Sequence, residues 1–297
     1  MRRGRVAGTG LAVLTCLVAT ACGTSTHRAQ ERAPLPSALP AGSGQSGGAG
    51  PSLPLPSGAP SAEPIDLSRW QLILPVDKNG EASGDDAAVV RPARPTAPWL
   101  TQQPDGSLRF WAPAGGATTG HSLHSRTELD SLTDFPVGQG QHVLSATLIV
   151  QQLPQQSQDI TIGQVHGYGS TYSAAPFVLL SFNGSRLVLA VESKPKLQGS
   201  VGPSDGATTS SQTVLDGLAP GQPLAYTMTV DGARLTVDAT LYTTTGAVQH
   251  SGSVSVALPP AWNGIPVTFD AGDYEQDDAA SSHSGGGQVT FLRLNTT

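Results

Sequence analysis

Three short stretches of this 297-residue chain place polar side chains at every second position. HSLHSRTELDSL (121–132) carries His124, Arg126, Glu128 and Asp130. ITIGQVHGYG (160–169) carries Gln164, His166 and Tyr168. VTFDAGDYEQDD (267–278) carries Asp270, Gly272, Tyr274 and Gln276. In an extended strand, positions two apart share a face, so each set would line one surface. An arginine, an amide, imidazoles and a phenol presented by three separate strands suit one reaction well. That reaction removes the weakly acidic proton beside a carboxylate and expels a sugar oxygen one carbon further on. Arg126 and Gln164 would neutralise the carboxylate through charge-assisted hydrogen bonds. His166 and Tyr274 would supply the base and the acid.

Other readings of the same residues stay open at this stage. Glu128-Leu129-Asp130 matches the E-x-D of jelly-roll glycoside hydrolases, which need two carboxylates. Their further glutamate is missing, because Ser131-Leu132-Thr133-Asp134 follows. The plainer role for Glu128 is to pair with Arg126 and fix it. His121 and His124 form an H-x-x-H pair, but on a strand they face opposite ways and no third ligand is evident. No metal and no cofactor are expected. The acidic run Asp273 to Asp278 reads as a solvated loop edge rather than a calcium site. Trp70, Trp99, Trp111 and Trp262 read mostly as core.

The elements that must position these residues are strands. Period-two patterns occur in SLRFWAP (107–113), HVLSATLIVQQL (142–153), FVLLSF (177–182), RLVLAVES (186–193), LAYTMTVDG (224–232), RLTVDATLYT (234–243) and QVTFLRL (288–294). Asn183-Gly184 predicts a hairpin between the third and fourth of these. No segment carries a sustained helical stripe. Many short strands with little helix predict an all-β jelly roll, a sandwich of two antiparallel sheets with a concave groove.

The chain divides by composition. Residues 1–21 have a basic start, an apolar middle and small residues at the end, as a secretory signal does. Ala19-Thr20-Ala21 suits ordinary cleavage, while LVATACG resembles a lipoprotein signal that would lipidate Cys22. Residues 22–62 are a tether of Pro, Gly, Ser and Ala with too few large apolar groups to fold. Residues 63–297 form the folded domain, expected to act as a monomer. Both cysteines, Cys16 and Cys22, lie in or beside the signal, so no disulfide supports that domain. The expected location is outside the cell, either secreted or on its surface. Any membrane attachment would run through a lipidated Cys22 alone.

From Asp66 onward there are eleven Lys and Arg against twenty Asp and Glu, a net charge of −9. Nucleic acid would demand a basic face, and none is visible. An acidic polysaccharide must instead be held by a local basic site.

R-T-E-L, Q-V-H and F-x-A-G-x-Y-x-Q, in that order, resemble the three motifs of the family 7 polysaccharide lyases, the alginate lyase 2 type. DLSRWQLILPVD (66–77) resembles the start of that domain. The resemblance spans about residues 66–297. It implies a β-jelly roll and endo-type β-elimination of a uronic-acid polymer. It further implies that Arg126, Gln164, His166 and Tyr274 are the catalytic set and that Gln276 lines the groove. Glu128, Asp130, Asp270 and His124, which would share Arg126's face, are read as the other substrate-binding residues. Val165 inside Q-V-H is the family variant associated with mannuronate preference. Two residues depart from the pattern. Asp130 stands where the family usually has arginine, and Asp270 where it usually has lysine. The expected substrate is alginate, with mannuronate preferred, or a related uronan such as a glucuronan. The two exchanges open the way to that other uronan or to a polymer with neutral sugars and make pure alginate a poor substrate. A non-catalytic carbohydrate-binding lipoprotein on the same fold is the rival class.

Overall fold

The computed structural model describes residues 60–120, 122–167, 175–195, 207–277 and 285–297. Sixteen strands and two short 3-10 helices make up its regular structure, and no α-helix occurs among the described residues. The strands are β1 (Trp70–Asp77), β2 (Ala87–Val90), β3 (Leu100–Gln102), β4 (Leu108–Pro113), β5 (Arg126–Ser131), β6 (Phe135–Pro136), β7 (Gln141–Gln152) and β8 (Asp159–Gly167). They continue with β9 (Ala175–Asn183), β10 (Arg186–Glu192), β11 (Thr209–Asp216), β12 (Pro223–Asp231), β13 (Arg234–Tyr242), β14 (Val248–Ala257), β15 (Pro266–Glu275) and β16 (Gly286–Thr296).

They form two antiparallel sheets. One runs β11-β10-β9-β8-β15-β5-β1-β2, with β6 on the end of β15, and the other runs β14-β13-β12-β7-β16-β4-β3. The alternation expected from sequence is the reason. Leu187, Leu189 and Val191 of β10, and Leu235, Val237, Ala239 and Leu241 of β13, enter the space between the sheets, while their neighbours face out. Asn183 pairs with Arg186 across the β9–β10 hairpin, and Gly184 takes φ 58 in its two-residue loop. That left-handed geometry matches the strand twist and favours glycine.

Two strands carry little apolar signal. β14 (VQHSGSVSVA) and β11 (TSSQTVLD) are dominated by Ser, Thr and Gln, and both are sheet-edge strands. An edge strand buries one face at most, so its sequence needs little hydrophobic material.

The three chemical stretches land in the middle of the first sheet, on β5, β15 and β8, which are consecutive neighbours. Leu129, Phe269, Ala271 and Val165 point into the core. By strand alternation, Arg126, Glu128, Asp130, Asp270, Tyr274, Gln164 and His166 take the opposite face.

Candidate active site

Cross-strand register brings the predicted residues together in rows. Tyr274 pairs with Arg126, Gly272 with Glu128, and Asp270 with both Asp130 and Gln164. Thr268 pairs with His166. Gly272 makes the central row possible. A Cβ there would stand 2.5 Å from the Thr127 carbonyl oxygen and 2.7 Å from Glu128 Cα, so only glycine lets β15 lie this close. β15 runs in regular register with β5, but its register with β8 shifts between Asp270 and Tyr274. On β8, a Cβ at Gly163 would meet the Tyr226 hydroxyl at 2.7 Å. That hydroxyl donates to Ile162 O at 2.8 Å and holds the irregular stretch from the opposite sheet. The irregularity keeps Gln164 and His166 on the same face as the residues of β5.

Glu128 is the hub. It is fully buried. Its Oε2 receives Arg126 Nη1 at 3.0 Å, and its Oε1 receives Gln164 Nε2 at 2.5 Å. Burial pushes the Glu128 carboxyl up, and the Arg126 charge and the Gln164 and Arg126 hydrogen bonds oppose it. For Arg126, burial works against the charge, but Tyr274, Glu128 and Asp270 outweigh it and hold the guanidinium ionised. The Arg126 guanidinium carbon lies 3.6 Å from the centroid of the Tyr274 ring, a cation–π contact that fixes the ring plane. Arg126 Nε and Gln164 Oε1 are buried without a partner. One donor and one acceptor beside the hub are therefore still uncommitted.

His166 is half-buried at the far end of β8. Burial, reinforced by the nearby Arg126 charge, pushes its imidazole down to about 3, so it is neutral and able to accept a proton at physiological pH. Tyr274 is 9% exposed, and its hydroxyl lies 3.0 Å from Ser122 Oγ.

Asp130 and Asp270, the two departures from the motif pattern, are both buried at the same level of the sheet. Gln71 Nε2 donates to Asp130 Oδ2, and Thr268 Oγ1 donates to Asp270 Oδ1 at 3.2 Å. Burial, then Asp130 and Glu128, push Asp270 well above the usual carboxylate range. With both Glu128 oxygens engaged by Arg126 and Gln164, the Glu128/Asp130 pair is not arranged as the acid and nucleophile of a glycoside hydrolase.

Several expectations are corrected. β5 begins at Arg126, so His124 precedes the strand instead of sharing its face. The chain departs there because Ser122 Oγ accepts from His124 N at 3.0 Å, and Ser125 Oγ turns to Pro113 O. His124 still reaches the site, with its ring edge-on to Tyr274 at 6.1 Å and its Nδ1 2.9 Å from Asp277 O. β15 ends at Glu275, so Gln276 lies just past it. Its amide folds back on the carbonyl of Tyr274 at 3.1 Å instead of extending the row. The acidic run is no solvated edge. Asp273, Glu275 and Asp277 are all buried. Asp273 accepts from Ala112 N, Glu275 from Asp277 N, and Asp277 from Gln156 N and Ser157 N. Odd positions of β15 must face inward once the even ones face out. His121, Tyr168, Asp278 and Cys22 lie outside the described residues. Among the described residues, no cluster of three or more His, Cys, Asp or Glu could hold a metal ion. Sequence reasoning missed Ser122, which belongs to no motif, and Gln71, whose partner is 59 residues away.

A two-sheet jelly roll with an arginine, amide, imidazole and phenol gathered on one sheet face defines a carbohydrate-active protein of the polysaccharide lyase kind. A family model described as alginate lyase matches residues 65–297, and the chain belongs to that family. Among solved structures, it resembles an alginate lyase from Pseudomonas aeruginosa at 27% identity and a TM-score of 0.62, over 78% of this chain and 99% of that one. An alginate lyase described as a member of polysaccharide lyase family 7 aligns at 24% identity and a TM-score of 0.59, over 78% and 96%. One from Klebsiella pneumoniae aligns at 18% identity and a TM-score of 0.61, over 82% and 98%. A search of curated proteins found no match.

Proposed function

We propose that this polysaccharide lyase cleaves a uronic-acid polymer within the chain, with Arg126, Gln164, His166 and Tyr274 as its catalytic residues. The observation that carries the reading is the Glu128 hub, which holds Arg126 and Gln164 on its two oxygens while Arg126 packs against the Tyr274 ring. Arg126 donates to the uronate carboxylate. Gln164, with one N–H held by Glu128, offers its unpartnered Oε1 to the acid form of that carboxyl. Either contact lowers the negative charge that opposes proton removal. For guluronate geometry, neutral His166 takes the C5 proton and Tyr274 protonates the departing O4. For mannuronate geometry, where proton and oxygen share a side, Tyr274 starts as the phenolate, takes the C5 proton and passes it to the departing O4. The C4–O bond breaks, a C4=C5 double bond forms, and the new reducing end leaves with its oxygen protonated.

Val165 supports mannuronate preference. The buried Asp130 and Asp270, with Arg126 already paired, support a polymer other than pure alginate, such as another uronan, a glucuronan for instance, or one with neutral sugars. For one of the similar lyases, complexes with a GGG product and a GGMG substrate were obtained in variants lacking a tyrosine or both a histidine and a tyrosine. That supports an oligosaccharide ligand and roles for Tyr274 and His166 here. The composition of residues 1–62 supports export, with Cys22 as lipid anchor and 22–62 as tether. Detergent-phase partitioning that is lost in Cys22→Ala tests the anchor.

Purified protein mixed with polymannuronate, polyguluronate, glucuronan and hyaluronan, followed by ultraviolet absorbance of the new double bond, tests the function. A lyase raises the absorbance on at least one. A protein that only binds carbohydrate raises it on none.

A further inference from the structure

We propose that Ser122 is a positioning residue for the Tyr274 phenol, a single hydroxyl that accepts its proton before transfer and donates to the phenolate after it. This rests on the reading of Tyr274 as the proton donor in the elimination. Ser122 Oγ lies 3.0 Å from the Tyr274 hydroxyl and also 3.0 Å from His124 O. A serine hydroxyl has one proton, so it can donate to one of these at a time. While it donates to His124 O, its lone pair accepts the tyrosine proton and aims that group. When Tyr274 gives its proton to the leaving oxygen, rotation about the Ser122 Cβ–Oγ bond redirects the serine proton to the phenolate. No covalent bond to serine changes, and the proton count is conserved.

The placement of Ser122 is built, not incidental. Its N donates to Thr119 O at 2.8 Å, and its Oγ accepts from His124 N at 3.0 Å. His124 is tied to Asp277 O through Nδ1. Ser125 is tied to Pro113 O and Glu275. The loop before β5 is thus held at three points while Arg126 fixes the phenol ring from its face. Among the described residues, Arg126 from β5 meets the phenol at its ring face and His124 from the loop meets it edge-on, while Ser122 Oγ meets its oxygen at 3.0 Å.

The test compares Ser122→Ala, Ser122→Thr and Tyr274→Phe, each alone, with Ser122→Ala also made in the Tyr274→Phe background, using the uronan that the wild type cleaves fastest. A hydrogen bond to a charged oxygen predicts a kcat loss of roughly 10- to 100-fold in Ser122→Ala, with KM nearly unchanged. Threonine, which keeps the hydroxyl, restores most of the rate. In the Tyr274→Phe background the alanine change adds no further loss, because both act as one unit. Wild-type kcat in Ser122→Ala, or equal damage from threonine and alanine, overturns the role of Ser122. If Tyr274→Phe itself turns over like wild type, the assignment of Tyr274 fails and this inference falls with it. Melting temperatures of all four variants separate a folding defect from a catalytic one, and a rate loss that tracks melting counts against the proposal.

Discussion

Asp130 and Asp270 are direct cross-strand partners on β5 and β15, both buried, with the neutral donors Gln71 on Asp130 and Thr268 on Asp270. Like charges facing each other across a sheet are unfavourable, and burial raises the cost. One proton resolves this, and Asp270 is the carboxyl pushed well above its ordinary value. A carboxyl with a raised folded-state pKa contributes stability that is complete below its unfolded value and is lost as pH rises through the folded one. Asp270→Asn should therefore remove that loss, flatten the stability profile above about pH 4 and stabilise the protein at neutral pH. Chemical denaturation across pH checks this. A variant less stable than wild type at pH 7 would contradict it.

The charge at Asp130 also bears on substrate. Asp130→Asn takes one negative charge away from the row that holds Arg126 and Gln164. At effective dielectrics near a protein surface this is worth on the order of 1 kcal/mol to an approaching polyanion, about five-fold in KM. The expected result is a lower KM for polymannuronate with kcat little altered. An unchanged KM for every uronan would show that Asp130 plays no part in selecting the polymer.

Glu128 is expected to be the costliest residue of the site to remove. Glu128→Ala strands a buried guanidinium and frees the Gln164 amide. Breaking one side of a buried pair typically costs about 3–5 kcal/mol. The variant should unfold at markedly lower urea and, where folded, bind substrate poorly. Near-normal stability would contradict the role of Glu128 as the partner that keeps Arg126 in place.

His166 sets the acid limb. With its imidazole pushed down to about 3 by burial and Arg126, it stays neutral through pH 5, where an ordinary histidine would already be charged. Turnover on a polyguluronate substrate should persist well below pH 6. The linked stability runs the other way from Asp270. A depressed histidine contributes stability above pH 6.5, lost as pH falls toward 3. His166→Asn should lose turnover and blunt that acid-side decline. A kcat/KM profile falling with a midpoint near 6.5 would contradict the environment described for this residue.

Glu275 lies under the loop that carries Ser122 and His124. Burial is the main reason it is pushed up to about 8. Its contribution to stability is complete below about 4.5 and is lost as pH rises from there to about 8. Glu275→Gln should flatten this interval. Melting curves at pH 5 and pH 8 measure it, and an equal slope in wild type and variant would contradict the assignment.

Much of this was legible in the sequence, for reasons visible at single residues. Period two put Arg126, Glu128 and Asp130 on one face, and the structure keeps them there. The same parity also implied that Asp273 and Glu275 face inward. Counting acids along the run obscured it, because a charge cluster suggests water, whereas Asp273 is met by the backbone N–H of Ala112 on β4 and Glu275 by that of Asp277 just past its own strand. β11 and β14 were missed because edge strands need no apolar alternation. Ser122 and Gln71 carry no local signal at all. Their roles come from register and loop closure, which depend on residues far along the chain.

The most direct test of the account is Tyr274→Phe, assayed beside wild type on the uronan panel by ultraviolet absorbance of the new double bond, with polymer binding measured in parallel. Loss of a positioned proton donor predicts a fall in turnover of about 10²- to 10⁴-fold with binding retained. Wild-type turnover in the phenylalanine variant, or a wild type that yields no unsaturated product from any uronan, would contradict it.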